Sequence, residues 1–199
     1  FGGTVNAKKL VVTGAGDDSV DWTLGYRGNL QYVLVVHNTQ SNSERCFEMD
    51  NFGANTNATP RAEPFVSNFT CIGTQSADTS NNAGPADGVT NSDAGLKLRA
   101  GSWGHFYNGL IENFGECIDI STADTTAGIT NTPADVDFRS VVCDVNNLAI
   151  LDDDTTGDIF SANFGVAAKN NQITTTAGAD NGLALTFDGA SATSLRSYI

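Results

Sequence analysis

The chain has 199 residues, with 23 acidic and 10 basic side chains, and a formal charge of −13. Its polar surface comes from 22 Thr, 20 Asn and 14 Ser rather than from charge. That composition excludes a coiled coil or helical bundle, which draws on Ala, Glu, Lys and Leu. It also excludes a nucleic-acid-binding role, which needs Lys and Arg for phosphate contacts. The 11 Phe, with many Val, Ile and Leu, are enough to bury a core. No apolar run approaches the ~20 residues that span a bilayer.

In chain order, longer apolar segments alternate with a short unit in which two apolar residues flank a polar or small one. Lys9-Leu10-Val11-Val12 leads to Asp18-Ser19-Val20-Asp21-Trp22, and residues 30–36 lead to Arg45-Cys46-Phe47-Glu48-Met49. Residues 65–72 precede Ala94-Gly95-Leu96-Lys97-Leu98, and residues 106–114 precede Glu116-Cys117-Ile118-Asp119-Ile120. Residues 138–145 precede Asn146-Asn147-Leu148-Ala149-Ile150, and Asn181-Gly182-Leu183-Ala184-Leu185 reads as a sixth copy. Strict alternation turns one face of each short unit inward, as in a half-buried strand. Successive copies are 27, 49, 22, 30 and 35 residues apart. A base repeat of roughly 22 residues with insertions explains those gaps. The insertions, at 37–44, 51–63, 73–94, 121–135 and 152–158, are almost wholly Asn, Thr, Ser, Asp, Gly and Ala. Residues 1–199 read as one domain, either whole or a segment of a longer chain. Opening on Phe1 with no signal pattern, the chain reads as a processed product or a fragment.

A repeat of this length, with two or three short strands and Asn or Gly turns, resembles the right-handed parallel β-helix of the pectate-lyase-like superfamily. Phe65-Val66-Ser67-Asn68-Phe69 before Gly95-Leu96-Lys97-Leu98 carries the likeness, as does Phe106-Tyr107-Asn108-Gly109-Leu110 before Cys117-Ile118-Asp119-Ile120. Gly16-Asp17-Asp18-Ser19-Val20-Asp21-Trp22 leading into residues 28–32 is similar to secreted bacterial β-helix proteins of unassigned function. The resemblance implies an all-β right-handed solenoid of about five to six coils with long polar loop insertions. Under that architecture Cys46 and Cys117 sit at one point of the short strand, and Cys71 and Cys143 in the next long strand, 25 and 26 residues on. Cys46–Cys71 and Cys117–Cys143 would then join neighbouring coils, which lie ~4.8 Å apart, within disulfide reach. The alternative is four reduced, buried cysteines acting as small apolar residues.

Gly16-Asp17-Asp18 is the sharpest catalytic candidate, because polygalacturonase-like β-helices place such a pair with Asn-Thr-Asp, Gly-His-Gly and Arg-x-Lys elements. Here Phe106 follows Gly104-His105, no Asn-Thr-Asp occurs, and Lys97 and Arg99 are reversed and precede the histidine. Asp17 and Asp18 therefore read as turn-shaping residues, and Lys97 and Arg99 as solvated residues on the outer side of their strand. His37 and His105 read as surface or turn histidines. Asp152, Asp154, Thr156 and Asp158 mimic the opening of a calcium loop, so calcium is the one cofactor the chain suggests and none is required. Trp103 and Tyr107 are the aromatics placed to stack on a sugar, whereas Trp22 falls on the inward side.

The expected protein is therefore secreted and non-enzymatic, a structural or adhesive component of a cell surface. Its expected partner is itself, as an oligomer or filament stacked through open coil ends, or a surface glycan. Nucleic acid and a membrane span are not expected. The alternative is a carbohydrate-active enzyme or carbohydrate-binding module.

Overall fold

Each apolar segment within the described residues becomes a strand. A computed structural model of the chain describes residues 2–38, 43–74, 92–131, 133–144, 148–152 and 164–174. The longer segments form β1 (Ala7–Thr13), β3 (Asn29–Val36), β5 (Phe65–Ile72), β7 (Gly104–Glu112) and β9 (Val136–Asp144). The short units form β2 (Val20–Trp22), β4 (Arg45–Asp50), β6 (Ala94–Arg99), β8 (Glu116–Ile120) and β10 (Leu148–Asp152), and β11 (Gln172–Thr174) ends the series. Two parallel sheets result. The first runs β1-β3-β5-β7-β9-β11 and the second β2-β4-β6-β8-β10, so the chain visits them in turn and each return lands one strand further along.

Register follows the repeat. Val20, Phe47, Leu96, Ile118 and Ile150 pair in one column of the second sheet, and Trp22, Met49, Leu98 and Ile120 in another. In the first sheet Lys9, Tyr32, Asn68, Asn108 and Ser140 occupy one level, with φ between 54° and 59°. Pairing resumes on both sides of each. A left-handed residue redirects a strand, and a whole column of them bends the sheet along one line. Asn tolerates this backbone better than most residues, and Asn108 Nδ2 donates to Asn68 Oδ1 at 3.4 Å.

The core lies between the sheets. A file of rings, Trp22, Phe47, Phe69, Phe106, Phe138 and Phe164, runs through it with neighbouring centroids 5.2–6.4 Å apart. Those spacings match the preferred range for aromatic pairs. Two glycines make room. A Cβ on Gly109 would stand 2.1 Å from the Phe69 ring, and one on Gly95 would stand 2.2 Å from Ile111 Cγ2. Disulfides join Cys46 to Cys71 and Cys117 to Cys143, with Cα separations of 5.9 and 5.7 Å. These are the partners expected from the sequence. Gly95 and Ile111 occupy the intervening level, so the Ile111 side chain fills the place a third bridge would take.

Two insertions are built rather than loose. Asn51 is fully buried, accepts from Ala62 N, and donates to the carbonyls of Thr56 and Ala58, tying down residues 51–62. Residues 121–135, expected as a polar loop, contain the helix α1 (Ala123–Thr130). The sixth repeat at 181–185 and most of the insertion at 73–94 lie outside the described residues.

Candidate functional site

The outward residues of the first sheet make two rows across its strands. Asn29, Phe65, His105 and Asp137 are paired in register, and so are Lys8, Gln31, Ser67, Tyr107 and Arg139. They alternate with the buried Leu30, Val66, Phe106 and Phe138, so they face out. Four strand steps of ~4.8 Å separate Lys8 from Arg139, giving a face ~19 Å long. At one end a hollow of about 410 Å³ opens, lined by Asn6, Lys8, Asn29, Gln31, Phe65 and Ser67. That volume lies within the range of small-ligand pockets. Phe65 is 46% exposed and stacks on His105 at 4.4 Å and 14°, leaving its other face to the hollow. Asn6 Oδ1 accepts from both the backbone and side-chain N–H groups of Asn29, at 2.8 and 2.7 Å, which orients the amide floor.

Behind Phe65, Glu63 accepts from Arg27 at 2.7 Å and lies 3.3 Å from His105 Nε2. Asp137 sits at the opposite end, 2.6 Å from Arg139 and 2.8 Å from Lys169. Burial alone would raise the Asp137 carboxyl, but those two cations reverse this and hold it below the ordinary range. Burial, with help from Asp137, raises the Tyr107 phenol.

The second sheet presents charge instead. Asp21, Glu48, Lys97 and Asp119 form one outward column, and Asp50 pairs in register with Arg99. Lys97 and Asp119 are ion-paired and buried, with side chains 6% and 5% exposed. Arg99 reaches Glu48 at 3.0 Å and Asp50 at 2.7 Å. The expectation of a solvated Lys97 is thus corrected: it points away from the core, but the outer side of β6 and β8 around it is itself buried, whereas the Arg99 side chain remains 38% exposed. Glu116 is pushed up to about 8 by burial, then by Asp119 and Asp93, against Lys97. Glu112, on the first sheet, rises to about 7 through burial and the neighbouring Asp144.

Where the chain turns into β2 and β4, a third group gathers. Ser19 N donates to Arg45 O at 3.0 Å, and Glu44 N donates to Asp17 O at 3.1 Å, docking the two turns side by side. Asp17, Asp18 and Glu44 bring one carboxylate oxygen each within 4.8 Å of one another. Arg45 lies beside them, in contact with Glu44, Glu48 and Asp93 and 3.8 Å from Asp18. Burial raises the Asp18 carboxyl to about 8; Glu48 adds to the rise and Arg45 opposes it.

The sequence candidates separate into these regions. Asp17 and Asp18 belong to the turn cluster, and the structure does not bring His105 to them. Tyr107 lies on the first-sheet face. Trp103 does not extend that face: it is half-buried, donates to Asp124 O at 3.0 Å, and carries the Arg61 guanidinium 4.2 Å above its ring. Gly128 of α1 lies so close that a Cβ there would meet the Trp103 indole at 2.5 Å. His37, expected at a surface or turn, is buried between the hydroxyls of Ser19 and Ser92, and burial lowers it to about 4. Asp152 ends β10, while Asp154, Thr156 and Asp158 lie outside the described residues, as does the Asp152 side chain. Sequence reading missed Phe65, whose alternation with Val66 marks it as outward.

Two parallel sheets visited alternately by one chain define a parallel β-helix domain. The model of the pectate-lyase-like β-helix domain matches residues 1–190, and the chain belongs to that family. No curated protein and no solved structure matches it. The two disulfides point to an oxidising, extracellular setting. Among the described residues no helix is long and apolar enough to cross a membrane.

Proposed function

We propose that this is a secreted, non-enzymatic adhesive protein, a right-handed β-solenoid of five to six coils that holds a glycan on the outer face of its first sheet. The hollow beside Phe65 carries the reading: an exposed aromatic wall next to a floor of fixed amides. Sugar rings present apolar C–H faces to aromatic rings and hydroxyls to amides, so this pairing of surfaces suits them. The formal charge of −13 favours a neutral glycan over a uronate polymer. The second row, from Lys8 to Arg139, lets an extended chain continue along the face.

The test is electrophoresis of the native protein through gels containing a neutral glucan or polygalacturonate. Retardation by the glucan that is lost in Phe65→Ala and Gln31→Ala is the expected result. Free migration in all gels overturns the reading, and release of reducing ends from either polymer favours the enzyme alternative.

Self-association is favoured by a separate observation. Among the described strands β1 borders only β3, and Val5 and Val11 beside that edge are 74% and 68% exposed. Exposed apolar side chains such as these favour contact with another chain. Light scattering on the non-reduced protein should show particles well above 20.8 kDa; a clean monomer removes assembly from the proposal.

A further inference from the structure

Lys97 and Asp119 stand opposite each other on β6 and β8, and Lys97 Nζ donates to Asp119 Oδ2. Both side chains are buried. A third group joins them. Glu116, on the same strand as Asp119, is 5% exposed and hydrogen-bonds to the Asp119 side chain. Burial, then Asp119 and Asp93, raise its carboxyl to about 8 against Lys97, so at neutral pH Glu116 is an uncharged acid. An ion pair needs one cation and one anion; a buried acid set against the anion adds nothing to that balance. Glu48, the neighbour of Lys97 on β4, is engaged by Arg45 and Arg99 instead. The place in the fold is also distinctive. Disulfides tie β4 to β5 and β8 to β9, whereas β6 between them has no cysteine, and Gly95 and Ile111 fill the position of a bridge. A primary amine, a carboxyl and a proton donor, shut away from water on that one strand pair, are the reactants and the catalyst of an amide condensation.

We propose that Lys97 Nζ and Asp119 Cγ join in an intramolecular isopeptide bond, formed in the folded chain with Glu116 as its general acid and base. The ion pair is the unreacted state. Strand pairing holds amine and carboxyl together, which replaces a bimolecular encounter by a positioned one. Burial penalises both charges, and passing an Nζ proton to the carboxylate leaves a neutral amine beside a carboxylic acid. The Nζ lone pair attacks Asp119 Cγ while Glu116 gives its proton to the carbonyl oxygen. Glu116 then takes a proton from the nitrogen and delivers it to one hydroxyl, which leaves as water as its Cγ–O bond breaks. The remaining hydroxyl returns its proton to Glu116 and becomes the amide carbonyl. One N–C bond forms, one C–O bond breaks, one water is released, and nothing is oxidised or reduced. The product replaces two buried charges by a neutral amide, which removes the desolvation penalty of the pair. Exclusion of water from the site opposes hydrolysis. The bond closes a loop of 22 residues and ties β6 to β8, a covalent link at the coil that the disulfides leave out. It rests on no part of the glycan reading.

Intact-mass spectrometry of the purified chain, denatured and thiol-reduced just before measurement, tests this, with peptide mapping to locate the link. The wild type should weigh one water less than its sequence, and its digest should contain a branched peptide that joins the segments holding Lys97 and Asp119. Lys97→Arg keeps the cation but brings no amine able to form the bond, and should show the full sequence mass. Glu116→Gln should slow the condensation about 100-fold or more, leaving most of the chain at full mass while circular dichroism shows it folded. A wild type at full sequence mass overturns the bond. So does a water loss that survives in Lys97→Arg, or one that maps to a peptide lacking either residue. Undiminished linkage in Glu116→Gln overturns the role of Glu116. The wild-type mass decides the central point even if neither variant folds.

Discussion

On the second sheet, the residues that alternate outward are Glu48, Lys97 and Asp119, and Lys97 and Asp119 are buried in an ion pair. On the first sheet the equivalent positions hold Asn29, Gln31, Phe65 and Ser67, which line an open hollow. The same alternation builds both faces, and the core behind them is continuous. What differs is whether the outward groups already satisfy one another. Buried charges must be paired to be tolerated at all, so the second face is committed to stability. The amides and the free side of Phe65 are not needed for that purpose, which leaves the first face available for a ligand.

The largest predicted effect breaks the committed face. Lys97→Met leaves Asp119 buried without its cation and should destabilise the fold by about 3–5 kcal/mol, read by denaturant unfolding. Replacing both, as Lys97→Met with Asp119→Leu, should recover most of that loss; failure to recover would mean the pair does more than neutralise itself. Removing one staple, as Cys117→Ser with Cys143→Ser, should cost about 3 kcal/mol through the freed unfolded chain. Neither change should alter glycan retention under conditions where the protein stays folded.

Acidity sharpens the contrast further. Asp18 and Glu116 hold their protons to about pH 8 in the folded state, but ionise near pH 4 when unfolded. Their contribution is therefore complete below about pH 4 and is lost as pH rises to about 8. His37 has the opposite sign: burial lowers it to about 4, so its contribution is present above about pH 6.5 and is lost as pH falls towards 4. Between about pH 6.5 and 8 only the carboxyls act, and the melting temperature should fall across that window. Glu116→Gln should flatten the fall. The smallest stability effect belongs to the open face, where Phe65→Ala should change unfolding by no more than about 0.5–1 kcal/mol.

Much of the fold was legible because its signals are local. The apolar run at 65–72 and the alternation at 116–120 placed both in strands at their observed limits. The 25- and 26-residue Cys spacings set both pairs in nearly the same relation, from a short strand to the next long one. Alternation also shows that Lys97 points away from the core, but not that its outer side is covered, because cover comes from residues distant in sequence. Trp103 was misjudged for the same reason: Arg61 and Gly128, which close over its ring, lie 42 and 25 residues away. The left-handed column was hidden because Lys9, Tyr32 and Ser140 share no residue preference with Asn68 and Asn108. The hollow was missed because Asn6, Gln31 and Phe65 meet only when three strands come into register.

The most direct measurement is the affinity of the folded protein for a neutral oligosaccharide, taken side by side for wild type, Phe65→Ala and the Lys97→Met/Asp119→Leu pair. If the first face is the functional one, Phe65→Ala should lose at least tenfold in affinity at nearly unchanged stability, and the second-face pair should bind as the wild type does. Binding that survives Phe65→Ala and fails in the second-face pair would contradict the division of labour between the two sheets.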